Sequence, residues 1–421
     1  MRIQFINHSS IIIIKDDIRI LCDPWIEGAV FQNGWKHLAE TIFTNNDFGS
    51  ITHIWFSHEH PDHFFPPNIK KIPNEIRKRI TVLYQKTKDK KVLKFCQKLG
   101  FKNVIEMEQN ESLDLNGVLK IKCNNIGHDS YLYVSDGTHS ILNINDCDKS
   151  GMEMIRADVG DIDLLLTQFS YAQWEGNPDR KDLRIGAAKR KFEEIKYQVK
   201  ILKPKYIIPF ASFVYFCHEE NYYCNDSINK ISETCDFIID QCSVVPIILF
   251  TNDTWSIGKP HDNTNALAKW NIQYSLLKNN ELPITKTELI SEEKLLESIN
   301  ENIIKTRKYF NMLDIFRLKP LLIYVSDLNK GIELNLLKRA NFISFKENEA
   351  HISLTSETLN FCMKFNWGFN TTRVNGRLRT NGDLNGLSTL KVYEGLANMM
   401  NHNEKYDGYF KRLMNKLKGR K

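Results

Sequence analysis

Apolar and polar positions alternate in short blocks along the first part of the chain. Ile11-Ile12-Ile13-Ile14 and Ile18-Arg19-Ile20-Leu21 flank the polar Lys15-Asp16-Asp17, which predicts a β-hairpin because β-branched runs favour strands and a short polar stretch favours the turn. A further strand is expected at 51–56, and helical periodicity falls near 68–79 and 86–99. Strand-like runs return at 118–123, 130–134, 140–144 and 164–167. Residues 181–203 then place Phe192, Ile195, Val199 and Leu202 at helical spacing, and Lys203-Pro204-Lys205 closes that helix before a strand at 206–209. Strands then helices, twice over, predict an α/β chain built as an αββα sandwich rather than a doubly wound sheet.

The texture changes near 256–270. Gly258-Lys259-Pro260-His261-Asp262-Asn263-Thr264-Asn265 is polar and turn-rich, the pattern of a linker. Helical spacing at 291–314 and strand-like runs at 321–325, 341–345 and 350–354 predict a smaller C-terminal α+β domain. The expected division is 1–258, a linker and helical segment over 259–300, and 301–421.

Length agrees, since 421 residues exceed one ordinary domain. With 42% apolar and 26% charged residues the chain can bury full cores. The longest apolar run, Val244-Val245-Pro246-Ile247-Ile248-Leu249-Phe250, is strand-sized, so no membrane span is expected. Fifty-seven basic against 51 acidic residues leave a net charge of +6, too mild over this length to imply nucleic acid. Nine cysteines without framework spacing and a start without a leader pattern predict reduced thiols and a cytoplasmic protein.

The chemistry concentrates in Ser57-His58-Glu59-His60-Pro61-Asp62-His63. Three imidazoles and two carboxylates within six residues suit neither a core nor a helix, and these are the usual ligands of zinc and iron. On a loop, His58 and His60 can reach one metal while Asp62 and His63 turn toward a second. The plain alternative is a solvated polar loop.

This HxHxDH pattern resembles the metallo-β-lactamase superfamily, and further positions match in order: Asp23 after Ile20-Leu21-Cys22, His128 in Gly127-His128-Asp129-Ser130, Asp146 after Asn143-Ile144-Asn145, and His218 after Pro209-Phe210-Ala211-Ser212-Phe213. The match covers about residues 1–255. The resemblance implies that one metal takes His58, His60 and His128, the other takes Asp62, His63 and His218, and Asp146 bridges them. Asp62 and Asp146 then also serve catalysis. Asp23 is expected to orient a ligand histidine through its free ring nitrogen, and His8 either lines the pocket or is an ordinary core or surface histidine. Cys147 follows Asp146, so a register shift of one would exchange carboxylate for thiol; Asp146 is preferred because it ends the β run.

Asp23-Pro24-Trp25-Ile26-Glu27-Gly28-Ala29-Val30-Phe31, Asn33-Gly34-Trp35 and His218-Glu219-Glu220-Asn221 look like the metal-binding part of the CMP-N-acetylneuraminate hydroxylase-like proteins and their ascorbate-6-phosphate lactonase-like relatives. The hydroxylases carry a Rieske module with Cys-x-His and Cys-x-x-His pairs, and none occurs in these 421 residues. Trp25, Phe31 and Trp35 are expected as pocket wall or core. The basic helix around Arg184 and the basic tail Lys411, Arg412, Lys416, Lys418, Arg420 and Lys421 are expected to be solvated surface. Loose β-like pieces around Gly331, His351 and Gly376 resemble a sterol carrier protein-like module, which implies an apolar ligand or a dimer contact.

The leading expectation is a dinuclear metal-dependent hydrolase that turns a metal-bridged hydroxide on a phosphoester, lactone or amide bond of a small anionic substrate. Zinc is placed ahead of iron, with manganese a third candidate. A diiron oxygenase acting on a nucleotide sugar or amino group, with a separate electron donor, is the second reading. A non-catalytic scaffold tied by metals is the third. A homo-oligomer is compatible with all of them.

Overall fold

The computed structural model describes residues 1–127 and 129–401. Two seven-stranded sheets face each other. The first runs in the order Thr254–Ser256, Arg2–Asn7, Ser10–Lys15, Ile18–Cys22, His53–Phe56, Thr81–Gln85 and Asn103–Met107; the second runs Val245–Pro246, Tyr206–Phe210, Leu164–Gln168, Ser140–Asn145, Asp129–Ser135, Leu119–Ile126 and Ser112–Leu115.

The four isoleucines 11–14 explain the layering. A strand sends successive side chains to opposite faces. Ile11 and Ile13 therefore enter the core between the sheets, whereas Ile12 and Ile14 enter a second core on the outer face of the first sheet. Trp55 and its neighbours Ile54 and Phe56 divide in the same way. Both faces of these strands are covered, so their sequences read as continuous apolar runs rather than alternations. The helices Pro66–Lys71 and Lys91–Lys98 supply Ile69, Val92 and Cys96 to the outer core, and Lys181–Leu202 covers the second sheet through Ile195, Val199 and Leu202. The sandwich is αββα.

The hairpin lies at Ser10–Lys15 and Ile18–Cys22, with Asp16 turned left-handed at φ 50°. Several boundaries differ from the sequence-based expectation. The helix expected at 68–79 is broken at Pro73 into Pro66–Lys71 and Asn74–Arg77, because proline forbids a helical residue before it. Thr81–Gln85 and Asn103–Met107 are strands that the apolar pattern did not single out.

The expected linker needs correction. Thr264–Lys278 is a helix whose Ala266, Trp270, Tyr274 and Leu277 are buried in the core of the sandwich. Trp270 stacks on Phe213 at 3.9 Å and donates its indole N–H to the carbonyl of Leu249. The polar Gly258–Asn265 stretch is only the turn into this helix, so the sandwich extends to about 278 and the connection is 279–291.

The C-terminal unit has its own core. The helix Glu292–Tyr309 packs with a five-stranded sheet, ordered Phe342–Ile343, Lys330–Leu334, Leu321–Val325, Ile352–Leu354 and Arg379–Thr380. A cavity of about 20 Å³ lies beside Thr306, Phe369 and Tyr393, room for a water and far too small for the apolar ligand that a sterol carrier-like module implies. No helix of the described residues is long and apolar enough to cross a membrane. The basic tail beyond 401 lies outside the described residues.

Candidate metal centre

The site forms where parallel strands end. Ile18–Cys22, His53–Phe56 and Thr81–Gln85 run parallel, as do Ser140–Asn145, Leu164–Gln168 and Tyr206–Phe210. Their carboxyl ends deliver Asp23, the 57–63 loop and Asp146, the position at which α/β sheets usually bind ligands. The chain leaves its strands abruptly here: His8 (φ 43°), Asp23 (44°), Asn145 (43°) and Ala211 (52°) are all left-handed without being glycine. Each such residue costs about 1–3 kcal/mol and persists only where the surroundings over-determine it.

Asp23 is the hub. Fully buried, it accepts from His63 Nδ1 at 2.9 Å, from the Ser57 N–H at 2.7 Å and hydroxyl at 2.8 Å, and from the Asn145 amide at 3.0 Å. A proton on His63 Nδ1 leaves Nε2 facing the cluster, where it lies 3.5 Å from Asp62 Oδ2 and 3.4 Å from Asp146 Oδ2. The His58 ring stands 4.2 Å from that of His63 and its Nε2 is 2.9 Å from His60 Nδ1. His60 is at the rim, open to solvent. Gln168 donates to Asp146 Oδ1 at 3.2 Å and orients that carboxylate.

Two groups of ligand atoms converge closely enough to hold an ion: His58, His63 and Asp146, and His8, Asp62 and His63. His8 places Nε2 3.4 Å from Asp62 Oδ2, so its ring stands among the candidate ligand atoms. Sequence reasoning passed over His37, which stacks on Trp25 at 3.8 Å and whose pKa is pushed well down by burial and by His8. It also passed over Asn145, Ser57 and Gln168, whose roles depend on strand register.

The electrostatics invite a cation. Burial alone would discourage charge on His63, yet Asp62, Asp146 and Asp23 hold its pKa well above the ordinary value. Burial would raise the Asp146 pKa, but the His63 imidazole overrides it and takes it down to about 2. Burial takes His58 down to about 4, leaving a neutral ligand at neutral pH. His8 Nδ1 and Nε2, His37 Nε2, Asp62 Oδ1 and His63 Nε2 are buried without a hydrogen-bond partner. Orphaned buried lone pairs are costly unless something coordinates them, so the donor set fits divalent transition metals.

The expected residues do not all meet. His58, Asp62, His63 and Asp146 are assembled, with His60 against His58. Cys147 is buried and burial pushes its thiol pKa well up, while it is Asp146 that reaches His63. His128 lies outside the described residues. His218 belongs to neither of these tight groups of ligand atoms; it is fully buried, with Nδ1 3.3 Å from Glu220 Oε2 and Nε2 3.9 Å from Glu357 Oε2, a residue of the C-terminal unit. Trp25, Phe31 and Trp35 are all buried in one cluster, and Phe31 also faces His60 at 6.1 Å, so wall and core are the same residues here. Arg184 is buried on Asp226 rather than solvated.

Residues 2–167 match the model of a family described as "Beta-lactamase superfamily domain". Over these residues, less than half of the chain, the sequence is similar to that superfamily. The curated relatives include a protein of Mycolicibacterium smegmatis that carries a Rieske 2Fe-2S iron-sulfur name, 26% identical over 41% of this chain and 35% of its own length. They also include the cytidine monophosphate-N-acetylneuraminic acid hydroxylase of Cricetulus griseus, 24% identical over 56% of this chain and 46% of that protein. The chain thus spans less than half the length of these relatives. Among solved structures, CmlA, a diiron β-hydroxylase from Streptomyces venezuelae, aligns at a TM-score of 0.45 with 16% identity, covering 61% of this chain and 54% of that one. The metallo-β-lactamase fold protein YhfI from Bacillus subtilis aligns at 0.41 with 13% identity, covering 60% and 98%.

Proposed function

We propose that the chain is a metal-dependent hydrolase of a phosphoester, lactone or amide bond in a small anionic molecule. The observation that carries this reading is the convergence of His58, His63, Asp146, His8 and Asp62, several of whose buried polar atoms have no hydrogen-bond partner. Two divalent transition-metal ions held by these residues and His60 would supply Lewis acidity toward the electrophilic oxygen and bring the pKa of water toward neutrality. The chain's own groups do the rest. Asp23 keeps the His63 proton on Nδ1, and Ser57 ties Asp23, His58 and His63 into one hydrogen-bonded unit. Gln168 aims the Asp146 carboxylate, and the buried Trp25–Phe31–Trp35 wall excludes water from one side.

A second reading, oxygenation at a diiron site, is favoured by the likeness to the hydroxylase of Cricetulus griseus. It needs electrons, and since these 421 residues contain no Cys-x-His and Cys-x-x-His pairs to hold a Rieske cluster, that reading calls on a separate electron donor. Metal analysis of protein purified without added metal, followed by assays against phosphodiester and lactone panels under argon, tests the order. Zinc or manganese with oxygen-independent turnover that disappears in His60→Ala supports hydrolysis. Two irons per chain with turnover that requires oxygen and reductant overturns it.

A further inference from the structure

The C-terminal unit reaches into the wall of the candidate metal centre. Residues 30–35 form a tight loop closed by Val30 and Trp35, with three consecutive left-handed residues, Phe31 (φ 49°), Gln32 (55°) and Asn33 (57°). None is glycine, so the loop is strained on its own, and its carbonyls point away from any regular ladder. Beside the local bond from Gly34 N–H to Phe31 O, they are taken by residues from far along the chain. Asn375 donates to Phe31 O at 2.8 Å and Arg377 Nη1 donates to Gln32 O at 2.8 Å. Asn221 bridges Gly34 O and Asn375 O, at 3.0 and 2.6 Å. The approach is close enough that a Cβ on Gly34 would fall 2.5 Å from Asn375 Cβ.

Arg377 is 1% exposed. Its remaining N–H groups go to Glu220, next to His218, and to Glu357 at 2.8 Å. A buried guanidinium with two carboxylates is fixed in place by its planar fork, and the strained loop rests on it. Phe31, carried by that loop, lies 4.5 Å from Trp35 and 6.1 Å from His60.

We propose that the C-terminal unit is a built-in part of the candidate site: Asn375 and Arg377 are positioning residues that clamp the 30–35 loop and thereby hold Phe31 as the wall beside His60. The role of the wall rests on the metal-site reading above, whereas the clamp itself does not. Removal of the clamp frees the loop to relax toward right-handed backbone, withdrawing Phe31 from the rim without removing any metal ligand.

Hydrogen exchange on the full chain tests the clamp independently of metal. In the wild type, peptides covering 30–35 exchange slowly and together with those covering 375–377. In Arg377→Lys, which keeps the charge but loses the fork, and in Asn375→Ala, exchange at 30–35 rises roughly tenfold, as expected for the loss of one or two buried hydrogen bonds. Peptides of Ser140–Asn145 stay unchanged. Fast exchange of 30–35 in the wild type overturns the clamp whether or not the variants fold, and so does unchanged exchange in either folded variant. Cobalt(II) loading reads the wall: Arg377→Lys retains the wild-type cobalt stoichiometry but shifts the visible spectrum, since the surroundings of His60 change. An identical spectrum overturns the wall. A wild type that takes up no cobalt, zinc or iron refutes the metal reading and with it the wall, while the exchange result still decides the clamp.

Discussion

Two buried clusters in this protein are built from the same side chains and behave oppositely. Around His63, three carboxylates (Asp23, Asp62 and Asp146) face imidazoles, with no arginine or lysine paired to them among the described residues. Around His218, two carboxylates (Glu220 and Glu357) share Arg377, which is already a cation. The field at the first holds the His63 pKa well above normal, whereas burial and then Arg377 take His218 down to about 4. A histidine–carboxylate cluster therefore asks for a metal only where the fold supplies no cation of its own. With one, the same residues become a structural lock.

The largest expected effect is at the first cluster. Asp146→Ala or His63→Ala should abolish stable metal binding, beyond the roughly 10–100-fold that losing an outer hydrogen-bond partner costs, as read by metal stoichiometry after dialysis. His218→Ala should keep the wild-type stoichiometry; if it empties the site as Asp146→Ala does, the distinction between the clusters fails.

Next comes Arg377→Met. It strands Glu220 and Glu357 in a buried setting and should cost about 3–5 kcal/mol of stability by urea denaturation. A loss under 1 kcal/mol would mean the lock is solvated. Asp23→Asn removes a charge from the first cluster while keeping its shape, and should weaken metal affinity about 10–100-fold without emptying the site, measured by competition with a chelator.

The pH response separates the clusters further. His218 has a folded-state pKa near 4 against an ordinary value of 6.5, so its neutral form favours folding. That contribution is present above pH 6.5 and is lost as pH falls through 6.5 toward 4. The groups facing it are Glu219, Glu220, Glu357 and Arg377. His218→Gln should flatten this limb of the stability profile relative to wild type, and an unchanged slope between pH 6.5 and 4 would assign the limb to other groups. The smallest effect is at the rim: Glu219 pairs with the exposed Lys286, and Lys286→Ala should shift stability by no more than about 0.5 kcal/mol. A larger loss would show that the lock extends to the surface.

The local parts of this picture were legible in the chain. His58, His60, Asp62 and His63 sit within six residues, so any loop after a strand brings them together, and the family resemblance pointed to Asp23 and Asp146, each a carboxylate where an apolar run stops. His8 was harder to place, since only the pairing of Arg2–Asn7 with Ser10–Lys15 and the left-handed turn between them put its ring beside Asp62. The surroundings of His218 were hidden for a related reason: it follows a late β run, but Val214–Phe216 pairs with Trp35–His37 in a separate ribbon, and His218 meets Glu220 and Glu357. The polar stretch near 258–265 suggested a linker because turn residues look alike whether they join domains or introduce a helix that packs back on the same core.

By itself, the sequence determined the layers and the candidate chemistry: continuous isoleucine runs require strands covered on both faces, and a dense imidazole–carboxylate loop offers the usual ligands of a metal. The tertiary structure alone decided which distant groups share those environments. Whether a buried histidine meets a metal, a lone carboxylate or an arginine depends on where a strand pairs and how a loop turns, and such contacts across up to 345 residues, as between Gln32 and Arg377, leave no periodic trace in the chain. Burial then fixes the outcome, because a low-dielectric interior makes each missing or added charge costly enough to set the role of the residue beside it.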